Sequence, residues 1–341
     1  IGCCESGTTL RFFIPIAAAS GGSTTFYGRG RLVERPLDPY YEIFNSQGID
    51  YRTRGGKLPL TVNGRLRPGD YRVAGSISSQ FISGLLFALP LLDGVSSISI
   101  IDELESKPYV DLTIDVLRHF SIEVVNNEYR EFIIEGNQKY KPMDYTVEGD
   151  YSQAAFWLAA GVLGSEISCR GLGTESLQGD KVIQDIIKAM GGEIVQGKDK
   201  LTAVPSKMKG IEIDAAQCPD LVPVLAVLAA LSEGVTRIVN TQRLRIKESD
   251  RLAALAGELA RLDADIQETR DGLLIKGREF LRGGTVDSRN DHRIAMALAV
   301  ASIRCKEPVI IKGADCVRKS YPSFWEDFRS LGGKINERNL G

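Results

Sequence analysis

Five times along the chain a small or acidic polar residue opens a nearly all-apolar run of helix length. Thr8 precedes Leu10 to Ala19, Ser79 precedes Phe81 to Leu92, Asp150 precedes Ala154 to Leu163, Asp220 precedes Leu221 to Leu231, and Asp291 precedes Ile294 to Ile303. The openers lie 71, 71, 70 and 71 residues apart, a regularity that marks an internal repeat. In the last four units a β-rich stretch follows the apolar run: Val95 to Ile101, Glu166 to Cys169, Val235 to Val239 and Pro308 to Ile311. An amphipathic helix-like run then comes in phase in every unit, at Pro39 to Ser46, Asp111 to Phe120, Lys181 to Met190, Arg251 to Leu262 and Ser323 to Leu331. Extended runs such as Ile122 to Val125 and Glu193 to Val195 close the unit.

Helices that are apolar all round are buried, and helices with a polar face lie outside. The repeat therefore predicts an α/β unit with one inner helix, one outer helix and intervening strands. Each inner helix starts at a capping residue, and symmetric packing would gather helix N-termini on one side of each domain. Several macrodipoles facing one cleft favour multiply charged anions. The plainer alternative is an α/β scaffold whose polar residues only cap helices.

Arg245-Ile-Lys-Glu-Ser-Asp-Arg251 carries five ionised side chains in seven residues, between a strand-like run and an amphipathic helix. Asp250 is expected to cap that helix, which places Lys247, Glu248 and Arg251 around one helix N-terminus. An oxyanion site containing a carboxylate is the sharp reading. A solvated turn with an i,i+3 pair between Glu248 and Arg251 is the plain one.

At 341 residues the chain suffices for two domains, and its composition, 43% hydrophobic and 25% charged, is that of a globular protein. The boundary is expected near Tyr145 to Asp150, giving domains 1–147 and 148–341 with two and three units. If the domains are built alike, one unit is missing before Ile1, and the lack of an initiator Met suits a fragment. A net charge of −2 leaves no global basic field for nucleic acid or a membrane surface. The longest apolar runs are about half a membrane span, and no signal peptide is evident. Six scattered cysteines without C-x-x-C spacing, and only two histidines, argue against zinc and for free thiols in the cytoplasm.

Nine motifs stand in order along the chain: Ser6-Gly-Thr-Thr-Leu-Arg11, Glu34-Arg-Pro36, Gly75-Ser-Ile-Ser-Ser-Gln-Phe81, Ser106-Lys-Pro-Tyr109, Glu148-Gly-Asp150, Cys218-Pro-Asp220, Arg245 to Arg251, Asp291-His-Arg293 and Lys319-Ser-Tyr-Pro322. In content, order and spacing the chain resembles the enolpyruvyl transferase family, and within it the branch acting on shikimate-3-phosphate. The resemblance implies an α/β fold of two domains, each of three βαβαββ units around inner helices (an inside-out α/β barrel), closing on substrates between them, with the first unit absent here. It implies transfer of the enolpyruvyl group of phosphoenolpyruvate to the 5-hydroxyl of shikimate-3-phosphate with release of phosphate, in the shikimate pathway of aromatic amino-acid biosynthesis. No cofactor or metal is implied, and a monomer is expected.

That chemistry is addition followed by elimination, so it needs cationic clamps and two carboxylates with different proton duties. By resemblance Asp220 is the base at the 5-hydroxyl, with a plain N-cap as its alternative role. Glu248 is the proton donor to the methylene carbon, with pure ion pairing as its alternative. The phosphoenolpyruvate set is Gly7, Arg35, Gln80, Arg251, Arg293 and Lys319; three arginines suit bidentate grip of carboxylate and phosphate. The shikimate-3-phosphate set is Ser78, Ser79, Gln80, Ser106, Tyr109, Asp220 and Lys247. Arg243 stands where some members have Asn and is a further substrate contact. His292 is an orienting group or a structural histidine.

Glu5 departs from the family, where an amide residue is frequent. Gly7 matches the small position whose enlargement, in the family, goes with reduced inhibition by glyphosate, so the resemblance implies a glyphosate target. One rival is an enolpyruvyl transferase acting on UDP-N-acetylglucosamine, but no cysteine here lies in the matching Arg- and Gly-rich loop. A truncated, non-catalytic fragment that only binds substrate is the other.

Overall fold

A computed structural model describes residues 1–337, which form two compact units. One comprises Ile1–Val147 with Glu175–Gly179, the other Glu148–Thr174 with Asp180 onward.

The first unit contains, in order, α1 (Gly7–Ser20), β1 (Ser23–Phe26), α2 (Asp38–Gln47), β2 (Asp50–Arg54), β3 (Lys57–Asn63), β4 (Asp70–Val73), α3 (Ser79–Ala88), β5 (Ser96–Ile100), α4 (Lys107–His119), β6 (Val125–Asn127) and β7 (Glu131–Ile134). Two sheets result, in the strand orders β1-β3-β2 and β4-β5-β7-β6. In the second, β4 runs parallel to β5 and the remaining pairs are antiparallel. The inner helices α1 and α3 cross closely at Gly84, where a Cβ would lie 2.5 Å from both the Arg11 carbonyl and the Tyr40 hydroxyl. A mid-helix glycine gives up about 1 kcal/mol of helix propensity, and this close approach is the reason it sits there.

Three expectations shift here. The first apolar run is not buried on all sides: α1 buries Leu10, Arg11, Ile14, Ala18 and Ala19 on one face, while Phe13 is exposed. The inner helices start one or two residues earlier than the expected openers, capped by Ser6 and Ser78, because the serine oxygens reach Thr9 N and Gln80 N from there. The extended run expected from Ile122 pairs only from Val125.

The second unit contains α5 (Tyr151–Leu163), β8 (Ile167–Arg170), α6 (Ile183–Ala189), β9 (Glu193–Gln196), β10 (Lys200–Val204), β11 (Glu212–Asp214), α7 (Val222–Ala230), β12 (Val235–Val239), α8 (Arg251–Arg261), β13 (Asp265–Glu268), β14 (Leu273–Lys276), β15 (Gly284–Asp287), α9 (His292–Ala301), β16 (Val309–Lys312) and α10 (Phe324–Ser330). Its sheets run β8-β10-β9, β11-β12-β14-β13 and a parallel pair β15-β16. The order β11-β12-β14-β13, with a parallel first pair, repeats that of β4-β5-β7-β6 in the first unit. The βαβαββ repeat is thus a fact of the backbone as well as of the sequence.

Every residue of α7 and of α9 is buried, and these helices pack on one another and on α5. By contrast α8 buries only one stripe, Arg251, Leu252, Ala254, Leu255, Glu258 and Leu259. Two members of that stripe are charged, an arrangement tolerated only with partners. Among the described residues no helix is long and apolar enough to cross a membrane.

Candidate active site

In the second unit the starts of four helices bring their first polar residues together. Asp150 and Asp291 cap α5 and α9, accepting from Ser152 N at 2.8 Å and from Arg293 N at 3.0 Å. Asp250 caps α8 through Ala253 N at 3.1 Å. Asp220 does otherwise. It sits in the single turn Pro219–Leu221 ahead of α7 and its side chain caps nothing, which overturns the plain N-cap alternative. Its carboxylate is instead taken by cations: Oδ1 accepts from Arg251 Nη1 at 2.8 Å and Oδ2 from Arg293 Nη2 at 3.1 Å, with Lys247 Nζ 3.7 Å from Oδ1.

Arg251 is the hub. Its side chain is 1% exposed, and it donates from Nη2 to Glu248 Oε2 and from Nε to Asp291 Oδ2, both at 2.8 Å. The expected i,i+3 pair between Glu248 and Arg251 is thus formed, and Arg251 carries it from a buried position. Asp291, fully buried, also accepts from Ser249 Oγ at 3.0 Å, and Arg293 donates from Nη2 to Ser152 Oγ at 3.0 Å. Three cations (Lys247, Arg251, Arg293) thus face three carboxylates (Asp220, Glu248, Asp291). The network is balanced in charge and built around one guanidinium.

Burial alone would push the Asp220 carboxyl up. The charges of Arg293, Lys247 and Arg251 overcome it and hold the group well below the usual carboxylate range. Asp291 is held low in the same way, burial being outweighed by Arg251. His292, beside them at the start of α9, is buried, and burial together with Arg293 and Arg251 brings its pKa down to about 4. It is therefore a neutral imidazole near pH 7. Lys319, at the end of the turn Ala314–Lys319, donates from Nζ to the Asn290 carbonyl at 2.6 Å, one residue ahead of the α9 cap. Arg243 lies in the turn Gln242–Ile246 and donates to the Ala216 carbonyl.

The first unit holds the remaining expected residues in a cluster of another character. Gln80, in the first turn of α3, donates from Nε2 to Thr8 Oγ1 and accepts at Oε1 from Arg11 Nη1, both at 2.9 Å. Arg11 also lies over the Phe81 ring, 4.7 Å from its centroid, and donates to the Pro36 carbonyl at 3.3 Å. Arg35 rests on Gly7, where a Cβ would lie 2.6 Å from Nη1. Gly7, Thr8, Arg35 and Gln80 thus stand at the start of α1 and α3 with Ser78 and Ser79. Ser106 and Tyr109 stand at the start of α4, Ser106 in a left-handed conformation with φ 57.

Residue assignment from sequence alone passed over Asp291, Ser152, Ser249 and Arg11. Asp291, Arg11 and Ser249 lie inside the motifs, and for Asp291 and Arg11 a charge at a helix start was a signal in the sequence. Ser249 carries no charge to single it out, and Ser152 lies outside every motif.

The EPSP synthase (3-phosphoshikimate 1-carboxyvinyltransferase) family model matches residues 1–328. The 3-phosphoshikimate 1-carboxyvinyltransferase of Clostridium kluyveri is 59% identical over 339 residues, 99% of this chain and 80% of that protein. That of Clostridioides difficile is 53% identical over 100% of this chain and 78% of its own length. An EPSP synthase structure from Acinetobacter baumannii, 26% identical, superposes with a TM-score of 0.81 over 98% of this chain and 79% of that one. From the repeat, the charge-balanced cluster and these matches together, the chain belongs to the EPSP synthase (3-phosphoshikimate 1-carboxyvinyltransferase) family.

Proposed function

We infer that the chain, an enzyme of the shikimate pathway by its family, moves the enolpyruvyl group of phosphoenolpyruvate onto the 5-hydroxyl of shikimate-3-phosphate. The observation that carries the residue roles is the Arg251 guanidinium, shared between Asp220, Glu248 and Asp291, with Arg293 on the second oxygen of Asp220. Cations so placed suit a substrate carrying carboxylate and phosphate, and the carboxylates they hold are proton-transfer groups in waiting.

In this reading the 5-hydroxyl oxygen attacks the enol carbon, Asp220 takes the hydroxyl proton, and Glu248 gives a proton to the methylene carbon. A tetrahedral ketal results, and return of a methyl proton to the Glu248 carboxylate with departure of phosphate restores the double bond. Asp220 is a weak base while Arg251, Arg293 and Lys247 hold it. An arriving anion that draws those cations to itself weakens their hold and raises the basicity of Asp220. The substrate then switches on its own base. Gly7, Arg35, Gln80, Arg251, Arg293 and Lys319 are assigned to phosphoenolpyruvate, and Ser78, Ser79, Gln80, Ser106, Tyr109, Asp220 and Lys247 to shikimate-3-phosphate, with Arg243 as a further contact. His292, neutral and buried, is assigned to orient its neighbours.

Phosphate release tests this directly: it should require both substrates together. Release with either substrate alone, or binding without release, would overturn the reading. We further assign the enzyme to the cytoplasm, in keeping with its six free thiols, and to a monomeric state that light scattering would check.

A further inference from the structure

One buried carboxylate stands apart from the network around Arg251 and has no part in the chemistry above. Glu258 lies on α8 seven residues after Arg251, two helical turns further along the same face. Its side chain is 1% exposed. Oε2 accepts from the backbone N–H of Asp287 at 2.9 Å, while Oε1 accepts from Arg289 Nε at 2.9 Å and Nη2 at 2.7 Å. Arg261 Nε lies 3.4 Å from Oε2.

Asp287 ends β15 and Asp291 caps α9, so the connection between them has three residues. Two of these, Arg289 and Asn290, are left-handed at φ 52 and 56, conformations that non-glycine residues keep only when their surroundings enforce them. The enforcement is visible from both ends. Arg251 grips Asp291 at one end and Glu258 grips Asp287 and Arg289 at the other, both from the same stripe of α8. Asp287 Oδ1 accepts from Arg289 N at 2.7 Å, and Asp291 N donates to the Ser288 carbonyl at 2.9 Å. The turn so held aims the Asn290 carbonyl at Lys319 Nζ and sets the first residues of α9, Arg293 among them.

We propose that Glu258 is a positioning residue for the phosphoenolpyruvate clamp, holding the turn between β15 and α9 so that Arg293 and Lys319 are correctly placed. The proposal rests on the functional reading above. Glu258 touches no substrate in it; it acts through Arg289 and the Asp287 amide. Small displacements of clamp residues weaken substrate binding steeply, so the signature is selective for one substrate.

The test compares wild type with Glu258→Gln, which keeps an acceptor for the Asp287 amide but loses the charge that holds Arg289. The KM for phosphoenolpyruvate should rise about tenfold, with kcat and the KM for shikimate-3-phosphate within about threefold. Amide exchange over residues 287–293 should quicken about tenfold. Arg289→Gln, at a position whose side chain is 51% exposed, removes the same ion pair from the surface side and should raise that KM about threefold. A folded Glu258→Gln variant with the KM for phosphoenolpyruvate unchanged, or with both KM values raised alike, overturns the proposal. If that variant does not fold, Arg289→Gln decides by the same criterion. Absence of turnover in wild type would sink the functional reading instead, and exchange over 287–293 would then decide whether Glu258 holds the turn.

Discussion

The two clusters of expected site residues differ in the partners that hold them. In the second unit, Arg251, Arg293 and Lys247 are already paired with carboxylates, and the hub is buried. In the first unit, the amide of Gln80 sits between Thr8 and Arg11, and hydroxyls of Ser78 and Ser79 open the helix. A network of ion pairs is sensitive to pH and costly to break; hydrogen bonds from a guanidinium to neutral oxygens, as Arg11 makes to Gln80 and Pro36, carry less of either cost. In the proposed roles, the proton-transfer groups Asp220 and Glu248 both stand in the second unit, whereas substrate contacts are assigned to both.

The largest expected effect breaks the charged side of this comparison. Asp220→Asn removes the proposed base while keeping its shape, and turnover measured as phosphate release should fall on the order of a thousandfold. A drop below tenfold would take the base role away from Asp220. Next comes Asp291→Ala, which strips the fully buried partner of Arg251 and of Ser249. Denaturant melts should show a loss of about 3–5 kcal/mol, the usual outcome when a buried pair loses one member. A loss under ~1 kcal/mol would mean that the network is not the stabilising element it resembles.

Acid should separate the two clusters further. His292 titrates at about 4 in the folded chain, because burial and the adjacent Arg293 and Arg251 oppose its charge, whereas an unfolded histidine titrates near ~6.5. Between those values the unfolded chain binds a proton that the folded chain refuses, so stability falls as pH drops through that window, by roughly 3 kcal/mol in full. Asp220 and Asp291, whose folded pKa values are depressed, add their loss only below about 4, the ordinary carboxylate range. Urea melts of wild type and His292→Asn between pH 7 and 4.5 check this; the variant should lose most of the slope.

The smallest effect probes the first-unit cluster. Gly7→Ala places a Cβ where Arg35 Nη1 is 2.6 Å away, so the guanidinium must move. The KM for phosphoenolpyruvate should rise about tenfold, equivalent to about 1.4 kcal/mol, with the melting temperature nearly unchanged. A Gly7→Ala enzyme with wild-type KM would show that Arg35 is not held against α1 in the working enzyme.

Hydrophobic periodicity made much of the fold legible. The spacing from Asp150 to Asp220 to Asp291 and the bare apolar runs behind them placed α5, α7 and α9, because helices apolar on all sides have nowhere to go but inside. It failed at α1, whose apolar residues are numerous yet only half covered. Hydrophobic content does not say how much surface a neighbour is available to cover. The site was legible as motifs, but Asp220 resembled Asp150 and Asp291 in sequence, each a carboxylate opening an apolar run. Only two of the three cap their helices.

What separates them is set across long stretches of chain. The pairing of Asp220 with Arg251 and Arg293, the grip of Glu258 on the turn before α9, and the reach of Lys319 to Asn290 join residues some 30 to 70 positions apart. Local pattern by itself determined the repeat, the helix starts and the classes of residue placed there, because capping and amphipathicity act within one or two turns of chain. The choice of partner for each charge was left to tertiary packing, since a buried carboxylate takes whichever cation the fold brings within about 3 Å, and no spacing in the sequence encodes that distance.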